Sequence, residues 1–245
     1  GDAGTRRTAV QGEKTGTQEG RRVTPYYSHN GIEIYLGDCR EILPSLPMVD
    51  LVLTDPPYGI KRDKGFEGFE GFGGFGTPIA RIRFEEDVWD SERPPKEIFD
   101  LILGVSKIAL IFGGNFFADF LPQGKHWIVW DKLNTMPTFG DCELIWTNIK
   151  RNSVKKIVCE YNGLIGKEQA RFHPTQKPLK LIKELMELYS HSGDLILDPF
   201  MGSGTTLVAA KSLGRRAIGI EIEEKYCEIA VKRMGQEVLN FEEPE

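Results

Sequence analysis

A chain of 245 residues, 40% hydrophobic and 27% charged, has the size and balance of one large globular domain or two small ones. The net charge of −5 excludes an overall basic nucleic-acid binder. Apolar runs no longer than IALIF at 108–112 exclude a segment of the ~20 residues that spans a bilayer. Cys39, Cys142, Cys159 and Cys227 form no C-x-x-C pair, and the four histidines form no metal spacing. Neither a disulfide framework nor a metal site is expected, and a reducing, cytoplasmic setting without a signal peptide is.

Residues 1–25 are polar and rich in Gly, Thr, Arg and Gln, as in a mobile tail. IEIYL (32–36) alternates like a strand, and VDLVLT (49–54) is an apolar, β-branched run of the kind buried on both faces. GFEGFEGFGGFGTP (65–78) repeats Gly and Phe too often for a helix or central strand, so 60–84 reads as a mobile loop. PPKEIFDLILGVS (94–106) has helical spacing, and KIALIFGG (107–114) reads as another buried strand. HWIVW (126–130), CELIW (142–146) and VKKIVCE (154–160) read as further strands. Between Lys150 and Lys183 nine Lys/Arg face two Glu, a basic strip suited to phosphates or simply a solvated face. PLKLIKELMELYS (178–190) predicts a helix with Pro178 in its first turn and Ile182, Leu185, Met186 and Tyr189 on one side. DLILD (194–198), a Gly-rich turn into a helix (199–214), RAIGIE (216–221) and EEKYCEIAVKRM (223–234) complete a strand–helix–strand–helix run. That order predicts an α/β, Rossmann-like doubly wound sheet.

Two turns carry chemistry. DPFMGSG ends a strand where open α/β sheets bind ligands, and Gly202 and Gly204 let the backbone approach one closely. Glu221 ends the next strand, 17 residues past Gly204, where a carboxylate can accept from ribose hydroxyls. Leu207 replaces the third glycine of the dinucleotide fingerprint and no lysine follows as in a P-loop, so the ligand carries ribose but need not carry phosphate.

The second turn, TDPPYG (54–59), also follows a buried strand. Pro56 and Pro57 each fix φ near −65°, and Pro57 pushes Pro56 into an extended form. The Asp55 carboxylate and the Pro56 carbonyl are then two rigid acceptors, with Tyr58 beside them to stack on a flat group. This set suits an aromatic amine, whose nitrogen gains positive charge as it is alkylated.

DPPY followed about 140 residues later by DPFMGSGTT resembles the β-class amino-methyltransferases of DNA, in which the catalytic motif precedes the cofactor motif. The likeness extends from Ile32 to Met234. It includes YLGDCREILPSLP, HPTQKP at 173–178, and the FGGNFFADFLP and WDK segments of compact phage and prophage members. The resemblance implies a seven-stranded sheet with one antiparallel strand, formed by a methyltransferase domain at 26–240. It implies S-adenosylmethionine as cofactor and double-stranded DNA as partner, with a homodimer as an open oligomeric state. Cofactor contacts are expected from Asp38, Cys39, Lys177, Asp198, Phe200, Gly202, Ser203, Gly204, Thr205, Glu221 and Ile222. Asp55, Pro56, Pro57 and Tyr58 are expected to hold the target base. Lys150, Arg151, Lys155, Lys156 and Arg171 are expected to contact DNA within a short target-recognition region, 131–172. Asp before Pro-Pro-Tyr points within the family to adenine N6. Cytosine N4, an RNA amine, and a DNA-binding subunit without activity are the alternatives. The target base lies inside a duplex and must be flipped out.

Overall fold

The computed structural model describes residues 23–60, 92–133, 140–161 and 176–235. The expected tail up to residue 22, the Gly/Phe segment beyond Ile60, the start of HPTQKP and Arg171 lie outside the described residues. Nine strands and five α-helices are described: β1 (Tyr27–His29), β2 (Ile32–Leu36), α1 (Cys39–Ile42), β3 (Val49–Thr54), α2 (Lys96–Gly104), β4 (Ser106–Phe112), β5 (Trp127–Asp131), β6 (Cys142–Thr147), β7 (Val154–Val158), α3 (Leu179–Tyr189), β8 (Leu195–Asp198), α4 (Thr205–Ser212), β9 (Arg216–Glu221) and α5 (Glu224–Gly235).

All nine strands join one sheet in the order β1-β2-β9-β8-β3-β4-β6-β5-β7. The expected seven-stranded unit is the run from β2 to β5, in which β6 alone is antiparallel to its neighbours. An extra strand extends it at each edge. β1 forms a hairpin with β2 because Asn30 and Gly31 both adopt positive φ, the two-residue turn that strand twist favours. At the other edge β7 pairs in parallel with β5.

The strand pattern explains the layering. Leu51 and Leu53 of β3 enter the core beneath α3, α4 and α5, while Val49 and Val52 enter the core beneath α1 and α2. A strand covered on both faces needs apolar residues at successive positions, as VDLVLT supplies. β3 then stops because Pro56 and Pro57 have no N–H to give a ladder. In α3, Leu181, Ile182, Leu185 and Met186 are buried, and Leu185→Ala there is expected to cost about 2–5 kcal/mol. Pro178, expected in the first turn, instead precedes the helix as its N-cap at ψ 130°, its carbonyl accepting from the Ile182 amide at 3.2 Å, and the helix ends where Ser190 turns extended and donates its Oγ proton to Met186 O at 2.6 Å.

The topology sets the position of the site. From β8 the chain proceeds to β9 on one side, and from β3 to β4 on the other, so the β8–β3 junction is the switch point. Thr54, Phe112, Asp198 and Glu221 end parallel strands at the same edge of the sheet. Because β6 runs the opposite way, it brings its first residues, Cys142 and Glu143, to that edge too.

Candidate functional site

Asp55 leaves β3 directly into the switch-point crevice. Its Oδ1 accepts from the Tyr58 hydroxyl at 2.5 Å and its Oδ2 from Lys177 Nζ at 2.5 Å. A second carboxylate, Glu143, shares both donors: its Oε1 lies 2.7 Å from the Tyr58 hydroxyl and 3.2 Å from Lys177 Nζ. Glu143 Oε2 pairs with Lys132 Nζ at 3.1 Å. Two acids and two lysines thus alternate in a mostly buried group, which is how buried charges are tolerated.

The electrostatics are uneven. Burial raises the Asp55 carboxyl above the usual range, with Lys177 opposing and Glu143 adding to the rise. Burial would also raise Glu143, but Lys177 and Lys132 outweigh it and hold that carboxyl at about 2. Burial favours neutral Lys177, yet the two carboxylates win and keep it protonated. Burial, then Asp55 and Glu143, push the Tyr58 hydroxyl well above its normal value, so it stays a donor.

Tyr58 is fixed by its surroundings. Phe116 stacks on its ring at 4.7 Å and 14°, and Phe117 meets it edge-on at 6.0 Å. One face of the ring is therefore covered by Phe116, and Lys177 Nζ lies 5.7 Å from the ring centroid. Gly113, at φ 63°, makes room for the ring: a Cβ there would lie 2.3 Å from Tyr58 Cε1.

Beside Asp55 opens a cleft of about 270 Å³, lined among others by Pro57, Lys177, Asp198, Gly202 and Glu221. Asp198, only 4% exposed, accepts from Thr54 Oγ1 at 2.8 Å, Thr206 Oγ1 at 2.7 Å and the Phe200 amide at 3.2 Å. Burial raises its carboxyl to about 6 against the pull of these bonds. Glu221 accepts from the amides of Gly202 at 3.0 Å and Glu223 at 2.9 Å, and burial raises it too. The glycine turn is pinned from behind by Arg233, whose Nη1 donates to Ser203 O at 2.6 Å.

The sequence-predicted residues divide. Phe200, Ser203, Thr205, Ile222 and Lys177 line the cleft with Asp198, Gly202 and Glu221. Gly204 serves packing instead, since a Cβ there would lie 2.9 Å from Ala230 Cβ of α5. Cys39 buries its side chain in the core with α2, and burial raises its thiol to about 11, so only its backbone is available to a ligand. Asp38 caps α1 and pairs with Arg40, close to Glu221 because the Gly37 amide bonds Glu221 O. Lys177, expected beside the cofactor, gives its charge to Asp55 and Glu143.

The basic strip is split. Lys150 and Arg151 precede β7 and sit at the sheet edge opposite Asp55, because β7 runs parallel to β5. Lys156 pairs with Asp131 Oδ2 at 2.6 Å, and Lys155 lies on the opposite face of β7. Four residues that sequence reading did not assign to the site belong to it: Glu143, Lys132, Gly113 and Phe116. Nothing in CELIW signals that its acid meets TDPPYG. The adjacent glycines in FGG, at the end of a strand, were the one legible hint of a close approach.

The family model described as DNA methylase, of the N6/N4 class, matches residues 124–232. The type II methyltransferase M.HinfI of Haemophilus influenzae is 30% identical over 244 residues, covering 83% of this chain and 68% of that protein. The crystal structure of M1.HpyAVI in complex with SAM superposes with a TM-score of 0.56 at 26% identity, covering 84% of this chain and 100% of that one. PvuII DNA methyltransferase, cytosine-N4-specific, shares the fold at a TM-score of 0.59 and 18% identity, over 88% of this chain and 90% of that one.

Proposed function

Since the chain belongs to the N6/N4 DNA methylases, we propose that it methylates the N6 amino group of adenine flipped out of double-stranded DNA. The observation that carries the adenine assignment is Asp55: a carboxylate, not a hydroxyl, stands before Pro-Pro-Tyr and faces the cleft. A carboxylate is the stronger acceptor for an amine that is becoming positively charged.

The cofactor is S-adenosylmethionine, and the residues present suit it. Glu221 offers a carboxylate for ribose hydroxyls, Ile222 and Tyr226 an apolar wall, and Asp198 an acid for the ammonium of the methionine end. Gly202, in the left-handed region at φ 50°, presents backbone without a side chain to the same cleft. When bound, the cofactor supplies a methyl group carried on a positively charged sulfur.

The protein's own part is orientation and charge. Asp55 and the Pro56 carbonyl accept the two N–H bonds of the amine and draw its lone pair out of conjugation. Their worth rises as charge builds on nitrogen, which is preorganised transition-state stabilisation. The raised Asp55 carboxyl also takes up a proton more readily than a solvated aspartate. Tyr58 and Lys177 keep Asp55 in one rotamer by their bonds to its two oxygens.

The test is transfer of labelled methyl from the cofactor to DNA, with the product nucleoside identified by mass. N6-methyladenine is expected. N4-methylcytosine would overturn the base assignment, and no transfer would overturn the activity.

A further inference from the structure

The Asp55 carboxylate is already engaged. Tyr58 holds one oxygen and Lys177 the other, each at 2.5 Å. An incoming amine competes for that carboxylate with these two donors, and a donor that gives way to it needs another partner. A buried ammonium that loses its only partner is strongly unfavourable. Here it has another: Glu143 Oε1 already touches both Lys177 and Tyr58.

We infer that Glu143 is a positioning residue for methyl transfer, retaining Lys177 and Tyr58 when the substrate amine takes their place on Asp55. The inference rests on the amino-methyltransferase reading above. Three observations support it. Glu143 sits on β6, the antiparallel strand, and so faces Asp55 from across the crevice without lining the cleft itself. Its second oxygen is anchored by Lys132, so it keeps its place while the donors shift. Lys177 and Lys132 keep it ionised throughout, which makes it a lasting partner for a cation. The exchange requires Lys177 only to favour the 3.2 Å contact over the 2.5 Å one.

The groups facing Asp55 are Tyr58 from its own turn, Lys177 ahead of α3, Glu143 from β6 and Asp198 from the end of β8. Glu143→Gln is isosteric and removes one negative charge. Lys177 is then left with an uncharged amide oxygen as its only alternative to Asp55. The single-turnover rate at saturating cofactor and DNA is expected to fall about 10- to 100-fold. The acidic limb of the pH–rate profile is expected to move to lower pH, because Glu143 no longer raises Asp55. Cofactor affinity by calorimetry and the melting temperature are expected to stay near wild type. Glu143→Asp, which keeps the charge, is expected to leave the limb in place and recover part of the rate. An active wild type with a Glu143→Gln variant of unchanged rate and unmoved limb overturns the inference. So does a rate loss matched by lost cofactor affinity in both variants, which assigns Glu143 to the scaffold. A wild type that methylates no amine in DNA overturns the reading beneath it as well.

Discussion

Thr54 donates its hydroxyl proton to Asp198 Oδ1 at 2.8 Å, tying the last residue of one central strand to the last residue of its neighbour. One bond thereby joins the turn proposed to hold the amine to the turn proposed to hold the cofactor, 144 residues apart in the chain. It also explains how a nearly sealed carboxyl remains available to ionise, since Thr54 and Thr206 counter the burial that lifts it to about 6.

Asp198 is therefore expected to make cofactor affinity pH-dependent. Binding of the methionine ammonium should strengthen as pH rises from about 5 to about 7 and Asp198 ionises. Asp198→Asn should lower affinity about tenfold or more at pH 7 and flatten that dependence. Calorimetric titration of the cofactor across this range is the check, and a slope retained in the variant assigns the titration elsewhere.

Removing Asp55 should separate chemistry from binding. Asp55→Ala takes away one of two acceptors for the amine and leaves Lys177 its contact with Glu143, so the fold survives. By analogy with loss of one oxyanion-hole donor, turnover should drop about 100- to 1,000-fold. Cofactor affinity should change only a few-fold. Labelled-methyl transfer in single turnover, beside a cofactor titration, measures both.

Lys177→Met should shift the pH–rate profile in the direction opposite to Glu143→Gln. Without the ammonium, burial and Glu143 both act to protonate Asp55, and Lys177 is the cation that opposes them. The acidic limb should therefore move to higher pH, with activity partly regained in alkaline buffer. A limb that stays put would show that Asp55 does not set it.

Glu221 should govern the cofactor rather than the amine. Glu221→Ala leaves ribose hydroxyls without a charged acceptor, a loss of roughly 1.5–3 kcal/mol or about ten- to a hundredfold in affinity. Glu221→Gln should lose less, because an amide oxygen can still accept from the Gly202 amide. Equal affinity in all three proteins would remove the ribose assignment.

The split of the basic strip changes which lysines matter for DNA. Lys150→Ala with Arg151→Ala, at the edge away from Asp55, should leave the salt dependence of DNA binding unchanged. Lys155→Ala with Lys156→Ala should flatten it by about one to two units of slope. Binding measured at several salt concentrations distinguishes the pairs, and the reverse result would place DNA along the opposite edge.

The sequence by itself determined the elements that local rules decide. A both-faces-buried strand needs continuous apolar residues, so VDLVLT and KIALIFGG were legible. A strand running into Asp-Pro-Pro-Tyr or into Gly-x-Gly puts an acid and bare backbone at a sheet edge whatever the remaining chain does, so Asp55, Asp198, Gly202 and Glu221 were legible too. The Asn30–Gly31 turn is equally local, since Asn and Gly are the residues that side-chain sterics allow at two successive positive φ values. What only the tertiary structure decided is who meets whom. Glu143 and Asp55 are 88 residues apart, and they face one acid to another only because β6 enters the sheet antiparallel beside β4. Such a pair is unfavourable on its own, and Lys177 and Lys132, from two further segments, make it stable. Gly204 shows the same limit in reverse: its spacing reads as room for a ligand, and the neighbour that fills the room is Ala230. Charge is blind to strand direction as well: the parallel entry of β7 leaves Lys150 and Arg151 at the edge away from Asp55 and puts Lys155 and Lys156 within the strand on opposite faces.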